Sequence, residues 1–306
     1  MELDGEQLRL MEVGPRDGLQ NESTQVSVAD KTQFITLLKT AGLKRIEAGA
    51  LVHPKWIPSM AHSQEVIASL NKSESVSYAA LVPNMVGFER AIEAGVHEVS
   101  LVLSVSDTHN QKNINASTSD ALERYRPVAE RAIDLGVPFR AYVSCAFGCP
   151  YEGPIAVPAV VAVAEKLLEL GAYELSIGDT IGVGNPKQTH ELVRALKESV
   201  PVNRLAMHLH DTRGTALANM LAAYQEGVRS FDSAAGGLGG CPYAPGASGN
   251  VATEDVVWMF ESMGIDTGVD LNVLVNASEM IQSALGRDLP SKAFQAMMAQ
   301  RQDSKC

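Results

Sequence analysis

Five times along the chain a glycine ends a helix-like run and a β-prone run follows at once. Ala41-Gly42-Leu43 leads into Arg45-Ile46-Glu47, Ala94-Gly95-Val96 into Glu98-Val99-Ser100, and Leu135-Gly136-Val137 into Phe139-Arg140-Ala141. Leu170-Gly171-Ala172 leads into Glu174-Leu175-Ser176, and Glu226-Gly227-Val228 into Ser230-Phe231-Asp232. Glycine suits the left-handed backbone that closes a helix, so each site reads as the helix-to-strand corner of a βα unit. Leu8–Val13, Val76–Val82 and Arg204–Leu209 supply three more β-prone runs, for eight strands in all. Between them, Phe34, Leu37, Leu38 and Ala41 recur at helical spacing after Ser27 and Asp30, either of which suits an N-cap. Val160, Val163, Leu167, Leu168 and Leu170 behave the same way before Gly171. Eight strands alternating with helices predict an α/β fold of the parallel (β/α)8 barrel type. The alternative is an open doubly wound sheet, against which stands the lack of a Gly-x-Gly-x-x-Gly after the first strand.

No stretch has the composition of a linker, so residues 1–306 read as one domain. The core barrel spans about 8–235, a Gly-rich loop 236–250, and a C-terminal helical extension 253–303. Apolar residues make up 45% of the chain, enough for a large core. A net charge of -11 with 5% aromatics speaks against a nucleic-acid partner. The N-terminus shows no signal peptide and no apolar run reaches a membrane span, so no membrane association is expected. Cys145, Cys149, Cys241 and Cys306 lack paired CxxC spacing. The expectation is a reduced, cytoplasmic protein without disulfide staples.

In a parallel barrel, catalytic groups gather at the carboxyl ends of the strands. There the chain places Glu12-Val13-Gly14-Pro15-Arg16-Asp17-Gly18, then Glu47, Ser144-Cys145, Ser176 and Asp179, then His208, His210 and Asp211, and last Asp232 ahead of Cys241. His208 and His210, two apart on a strand, share one face. Alone, such a pair reads as two hydrogen-bonded core histidines before it reads as a metal site. Arginine, carboxylates and two imidazoles on one rim outline a divalent-metal acid–base site.

Four blocks, "EVGPRDGLQNE" (12–22), "LSIGDTIGVGNP" (175–186), "HLHDTRGTALANM" (208–220) and "GGLGGCPYAPGASGN" (236–250), resemble the 3-hydroxy-3-methylglutaryl-CoA lyase family of metal-dependent TIM-barrel lyases. The blocks occur in the family's order, from about residue 8 to about residue 290. The resemblance implies metal ligands at Asp17, His208, His210 and Asn250, holding a divalent cation, Mg2+ or Mn2+. It implies a catalytic arginine at Arg16, a reactive cysteine at Cys241, and supporting acids at Glu47, Asp179 and Glu254. It implies an acyl-CoA substrate, retro-Claisen cleavage to acetyl-CoA and acetoacetate, and a homodimer. Asp179 and His208 are both open as the group that takes the hydroxyl proton, with Asp179 favoured. Without the resemblance, Asn250 reads as a turn residue and Glu47 as a group that orients Arg16. A condensing synthase or aldolase on the same barrel is the alternative reaction, and a non-catalytic binding barrel a third reading.

The chain departs from the family pattern after its second strand, where Ala50-Leu51-Val52-His53 replaces Ser-Phe-Val-Ser. Arg213-Gly214-Thr215 replaces Tyr-Gly-Gln, and Ala234-Ala235-Gly236-Gly237 replaces Ser-Val-Ala-Gly. A lost hydroxyl and a lost ring near the acyl group imply room for a 3-substituent larger than methyl.

Overall fold

The computed structural model describes residues 7–72, 75–240 and 249–303. Eight parallel strands close into a barrel in sequential order: β1 (Arg9–Glu12), β2 (Arg45–Ala50), β3 (Ser77–Leu81), β4 (Glu98–Ser104), β5 (Phe139–Ser144), β6 (Glu174–Asp179), β7 (Leu205–Leu209) and β8 (Ser230–Ser233). β8 pairs with β1 from Arg9↔Ser230 to Glu12↔Ser233 and completes the ring. Gly42, Gly95, Gly136, Gly171 and Gly227 all adopt positive φ, as the corners require. Gly42 is fixed twice over. Its φ is +102°, and a Cβ there would lie 2.3 Å from the Gly268 carbonyl oxygen.

The outer helices are α1 (Val28–Thr40), α2 (Ser63–Ser69), α3 (Met85–Ala94), α4 (Asp107–Ile114), α5 (Thr118–Asp134), α6 (Val157–Glu169), α7 (Pro186–Leu196) and α8 (Ala216–Gln225). Ser27, not Asp30, caps α1: its hydroxyl accepts the Asp30 N–H at 3.1 Å. Then follow α9 (Thr253–Ser262), α10 (Leu271–Leu285) and α11 (Lys292–Asp303). By sequence α9 is the first helix of the extension. In the structure its Phe260 packs on Phe231 of β8 and Tyr224 of α8, at 5.6 and 5.5 Å between ring centroids. It therefore serves as the barrel helix that follows β8, β4 being followed by both α4 and α5, and the C-terminal helices beyond it are α10 and α11. Among the described residues no helix is long and apolar enough to cross a membrane.

The two faces of the strands bury different chemistry. Outward residues such as Val143, Leu175, Ile177, Met207, Leu209 and Phe231 form an apolar layer under the helices. The inward positions carry charge. Residues side by side in a parallel sheet share a face, and Arg140↔Glu174, Tyr142↔Ser176 and Asp232↔His208 are such pairs. Arg140, fully buried, is paired with Glu174 at 3.0 Å and Asp232 at 2.9 Å. The usual branched aliphatic filling of a small barrel is here replaced by an ion-paired core.

Candidate active site

At the carboxyl mouth of this lumen, β1 runs into a single wide helical turn, Gly14–Gly18, closed by Gly18 N–H donating to the Val13 carbonyl at 3.1 Å. Wide turns of this kind recur at functional sites, and this one points Arg16 and Asp17 over the barrel. His208 ends the inward face of β7 and His210 follows two residues on. The Asp17 Oδ2 lies 3.7 Å from His208 Nε2 and 3.6 Å from His210 Nε2, and the two Nε2 atoms are 3.3 Å apart. These three atoms, all within 4.8 Å of one another, form a cluster able to hold a metal ion.

The surroundings prepare the cluster for a cation. His208 Nδ1 donates to Asp232 Oδ2 at 3.1 Å. A carboxylate only accepts, so the neutral ring keeps its hydrogen on Nδ1 and offers a lone pair at Nε2. Burial would raise the Asp232 pKa, but Arg140 and His208 hold it well below the usual range. Burial acts on Asp17 in the same sense, and Arg16, His210 and His208 together hold it well below as well. With no cation bound, a hydrogen on His210 Nε2 can close the group by donation to Asp17 or His208, and loss of that hydrogen leaves both imidazoles as donors of lone pairs. One carboxylate and two imidazoles are a fitting donor set for a divalent cation. Asn250 is the fourth group present. Its Nδ2 donates to Asp17 Oδ2 at 2.9 Å and to the Leu238 carbonyl at 3.2 Å. In this orientation it is a partner of Asp17 and turns its nitrogen, not its oxygen, toward the cluster.

Arg16 is 5% exposed and is gripped from both sides. Its Nε donates to Glu47 and its Nη1 to Asp17. Its guanidinium also lies 5.1 Å from the centre of the Tyr142 ring. Glu47 takes a second donor, the Tyr142 hydroxyl, at 2.9 Å. Its other oxygen, Oε1, is buried with no hydrogen-bond partner among the described residues. Glu47 therefore orients Arg16, and Tyr142 supports both.

Two expected acids stand elsewhere. Asp179 has the outward parity of Leu175 and Ile177, so it leaves the lumen. Its Oδ1 accepts from Val183 N–H at 3.0 Å and its Oδ2 from Gly184 N–H at 2.8 Å. Both oxygens are occupied in shaping the 180–184 loop, and the structure does not present Asp179 to the cluster as a free base. Burial raises its pKa, against the pull of these N–H groups and of His210. Glu254, on the first turn of α9, accepts from Gly236 N–H at 2.7 Å and from the Ser278 hydroxyl. Burial pushes its pKa up to about 7. It anchors the Gly-rich segment from below and does not touch the metal-binding group. Cys241 lies outside the described residues. The ends of its loop are described: a Cβ on Gly249 would sit 2.4 Å from the Gly239 carbonyl carbon, so the two backbones touch. Asn21 Nδ2 donates to the Gly240 carbonyl at 3.0 Å, tying the loop's start to the region after the Arg16 turn.

Arg140 and Tyr142 took no part in the expected site, and Asp232 stood on the expected rim without a role. Strand parity is the signal that finds them. Arg140-x-Tyr142, Glu174-x-Ser176, His208-x-His210 and Ser230-x-Asp232 all alternate polar residues onto one face, and in a closed barrel that face is the lumen.

Comparison with known proteins places the chain in a family. The model of the HMGL-like family matches residues 7–281. A Pseudomonas aeruginosa protein described as 3-hydroxy-3-isohexenylglutaryl-CoA/hydroxy-methylglutaryl-CoA lyase is 50% identical, covering 95% of this chain and 97% of its own. The Bacillus subtilis hydroxymethylglutaryl-CoA lyase YngG is 49% identical, covering 94% and 96%. Among solved structures, a B. subtilis HMG-CoA lyase superposes with a TM-score of 0.94 at 48% identity, over 95% of this chain and 98% of that one. An Acinetobacter baumannii HMG-CoA lyase in complex with coenzyme A and 3-methylmalate gives 0.92 at 41% identity, over 97% of each. With the family matched across nearly all of the barrel, and relatives of almost equal length sharing half of its residues, the chain belongs to the HMGL-like family.

Proposed function

We propose that this protein is a carbon–carbon lyase that cleaves 3-hydroxy-3-methylglutaryl-CoA, or a close 3-substituted homologue, to acetyl-CoA and a 3-oxo acid, acetoacetate for the methyl compound. The observation that carries this is the Asp17–His208–His210 cluster with Arg16 clamped beside it. It sits in a chain half identical to enzymes named for that reaction. Asp17, His208 and His210 would hold a divalent cation, Mg2+ or Mn2+, and Asn250 would join the set once its amide turns its oxygen, in place of the nitrogen that now faces Asp17, toward them. Such a cation, when bound, acidifies the tertiary hydroxyl of the substrate.

The chain's own residues supply the remaining chemistry. Arg16 places a fixed positive charge next to the cluster, where negative charge grows on the thioester oxygen as the carbon–carbon bond breaks. Its burial and double clamp mean that it need not reorganise at that moment. Asp232 keeps His208 in the tautomer that leaves Nε2 bare. Cys241 is placed by sequence to protonate the released thioester enolate.

Substrate width is the finer question. β2 carries a bulge between Glu47 and Gly49, after which Ala50 pairs with Leu81, and Leu81 with Ser100. Ser100 shares the inward face of Arg140, so Ala50 faces the lumen mouth while Leu51 turns into the apolar layer. Of the three departures from the family run, Ala50, Leu51 and His53, Ala50 is the one that lies on the lumen face of β2. The P. aeruginosa relative is named for a substrate whose 3-substituent is an isohexenyl chain. The test is acetyl-CoA release from 3-hydroxy-3-methylglutaryl-CoA and from 3-isohexenyl and shorter 3-alkyl homologues. Acetyl-CoA paired with the matching 3-oxo acid is the expected result. Ala50→Ser is expected to shift kcat/KM toward the methyl compound by about tenfold, the scale of one altered polar contact. Condensation of acetyl-CoA with 2-oxo acids, with no cleavage of any thioester, would replace the lyase by a synthase.

A further inference from the structure

Glu12 is the last residue of β1 and is fully buried. It faces away from the lumen, because it pairs with Ser233 whereas the lumen-facing Asp232 pairs with Met11. Its carboxyl group meets three donors from three segments. Gly14 N–H, at 2.8 Å, belongs to the turn that carries Arg16 and Asp17. Ala235 N–H, at 2.9 Å, belongs to the backbone entering the Gly-rich loop. The Thr253 hydroxyl, at 2.6 Å, belongs to the segment leaving that loop just after Asn250. Both N–H groups converge on one oxygen, Oε1. Thr253 meets Oε2, and its hydroxyl lies 2.9 Å from Ser233 Oγ. The turn rests directly on the carboxyl: a Cβ at Gly14 would come within 2.5 Å of Oε1.

The cation-binding group is divided along this same seam. Asp17 comes from the turn and Asn250 from the end of the loop, and they meet at 2.9 Å. We propose that Glu12 is a positioning residue that sets the separation of Asp17 and Asn250, by holding the Arg16–Asp17 turn and both ends of the Gly-rich loop on one carboxyl group. This rests on the cation-site reading above. An apolar side chain of the same size leaves the Gly14 and Ala235 N–H groups buried without an acceptor, and nothing then fixes the turn against the loop. Glutamine keeps the arrangement, since its single oxygen accepts both N–H groups and its amide nitrogen donates to Thr253.

The experiment is titration of the full-length apo-protein with Mn2+, following free Mn2+ by EPR, with the melting temperature recorded in parallel. Thr253→Val severs the tie to α9 with little change of shape, and Glu12→Leu severs all three. Each is expected to weaken Mn2+ binding by about tenfold or more, the range for groups that orient ligands, while Glu12→Gln stays within about twofold of the parent. In an Asn250→Ala background the Thr253→Val effect is expected to shrink below about twofold, because the segment tied through Thr253 then carries no ligand to align with Asp17. Should Glu12→Leu fail to fold, Thr253→Val in the two backgrounds decides alone. Unchanged Mn2+ affinity in Thr253→Val, or the same loss in both backgrounds, overturns the proposal and leaves Glu12 a stabilising residue only. Absence of Mn2+ binding by the parent overturns the cation site itself and this proposal with it.

Discussion

The two mouths of the barrel are both crowded with charge, and they are finished differently. At the amino mouth, Arg45 pairs with Glu98 at 3.3 Å and Glu174 at 3.0 Å, and the Tyr173 hydroxyl donates to Glu98 at 2.8 Å. Arg140 continues the alternation inward. Each charge there touches its opposite, and the group is complete as it stands. At the carboxyl mouth, Arg16 answers both Glu47 and Asp17, and two imidazole nitrogens crowd the same carboxylate. Two acids share one cation here, as Glu98 and Glu174 share Arg45 at the other mouth, but only here do two imidazole nitrogens also meet a carboxylate oxygen. A buried ionic group costs stability unless it is matched. On the cation-site reading proposed above, the carboxyl mouth receives a guest and the amino mouth is a plug.

The strongest test of that contrast removes the guest. Exhaustive chelation is expected to abolish acetyl-CoA release, and Mg2+ or Mn2+ to restore it. His210→Ala is expected to weaken Mn2+ binding by orders of magnitude. Full turnover in metal-free protein would mean that the cluster serves some other purpose. Next in size is the loss of the fixed charge. Arg16→Gln should lower kcat by about 10²–10³-fold, as removal of one oxyanion-stabilising donor does, with Mn2+ binding retained. A kcat within tenfold of the parent would reduce Arg16 to a structural partner of Glu47.

The amino mouth should respond in the opposite currency. Glu98→Gln takes one charge from the matched set and is expected to cost about 3 kcal/mol of folding stability, read by denaturant unfolding, while kcat stays within about twofold. A large fall in kcat at unchanged stability would erase the distinction between the mouths.

The smallest effect is a pH slope that sets the buried acids of the loop base against those of the lumen. Burial pushes Glu12 up to about 8 and Glu254 to about 7, from 4.5. An acid raised in the folded state contributes stability that is whole below its unfolded pKa and is lost as pH rises through the folded value. These two therefore predict stability that declines as pH rises from about 4.5, Glu254 contributing up to about pH 7 and Glu12 up to about pH 8. Glu12→Gln and Glu254→Gln should each flatten part of the decline. Burial also opposes ionisation of Glu174 and Asp232, but Arg140 wins and lowers both. Their contribution is present above the unfolded carboxylate range and disappears only as pH falls through their depressed values. A stability profile that rises steadily from pH 5 to pH 8 would contradict the assignment at the loop base.

The barrel was legible because its corners are written in single residues. A glycine at Gly42, Gly95, Gly136, Gly171 or Gly227 answers a backbone requirement that no other residue meets cheaply, so local sequence reports topology. The core of the site was legible for a similar reason: Asp17 and Arg16 share a turn, and His208 and His210 share a strand face. Asp179 shows where such reading stops. It lies at the end of a strand, as a catalytic acid should, but one residue out of phase with the lumen. Counting from Glu174 and Ser176 would have turned it outward and drawn in Tyr142 and Asp232. The role of α9 was obscured because a long loop separates it from β8, and only the packing of Phe260 on Phe231 reveals the pairing. The hold of Glu12 on Gly14, Ala235 and Thr253 spans 241 residues of sequence, and no local pattern announces it.

The contact between Gly239 and Gly249 bears on how such an enzyme changes over time. A segment whose ends already touch is joined to the barrel as a handle is joined to a cup. Lengthening it strains nothing beneath, and each doubling of a loop's length costs only about 0.6 kcal/mol in closure entropy. Substitutions and insertions between those two glycines can therefore be sampled by descent without endangering the folding of the chain. What holds residues 236–250 to the family's block is then the chemistry proposed for Cys241, and not the folding of the barrel beneath.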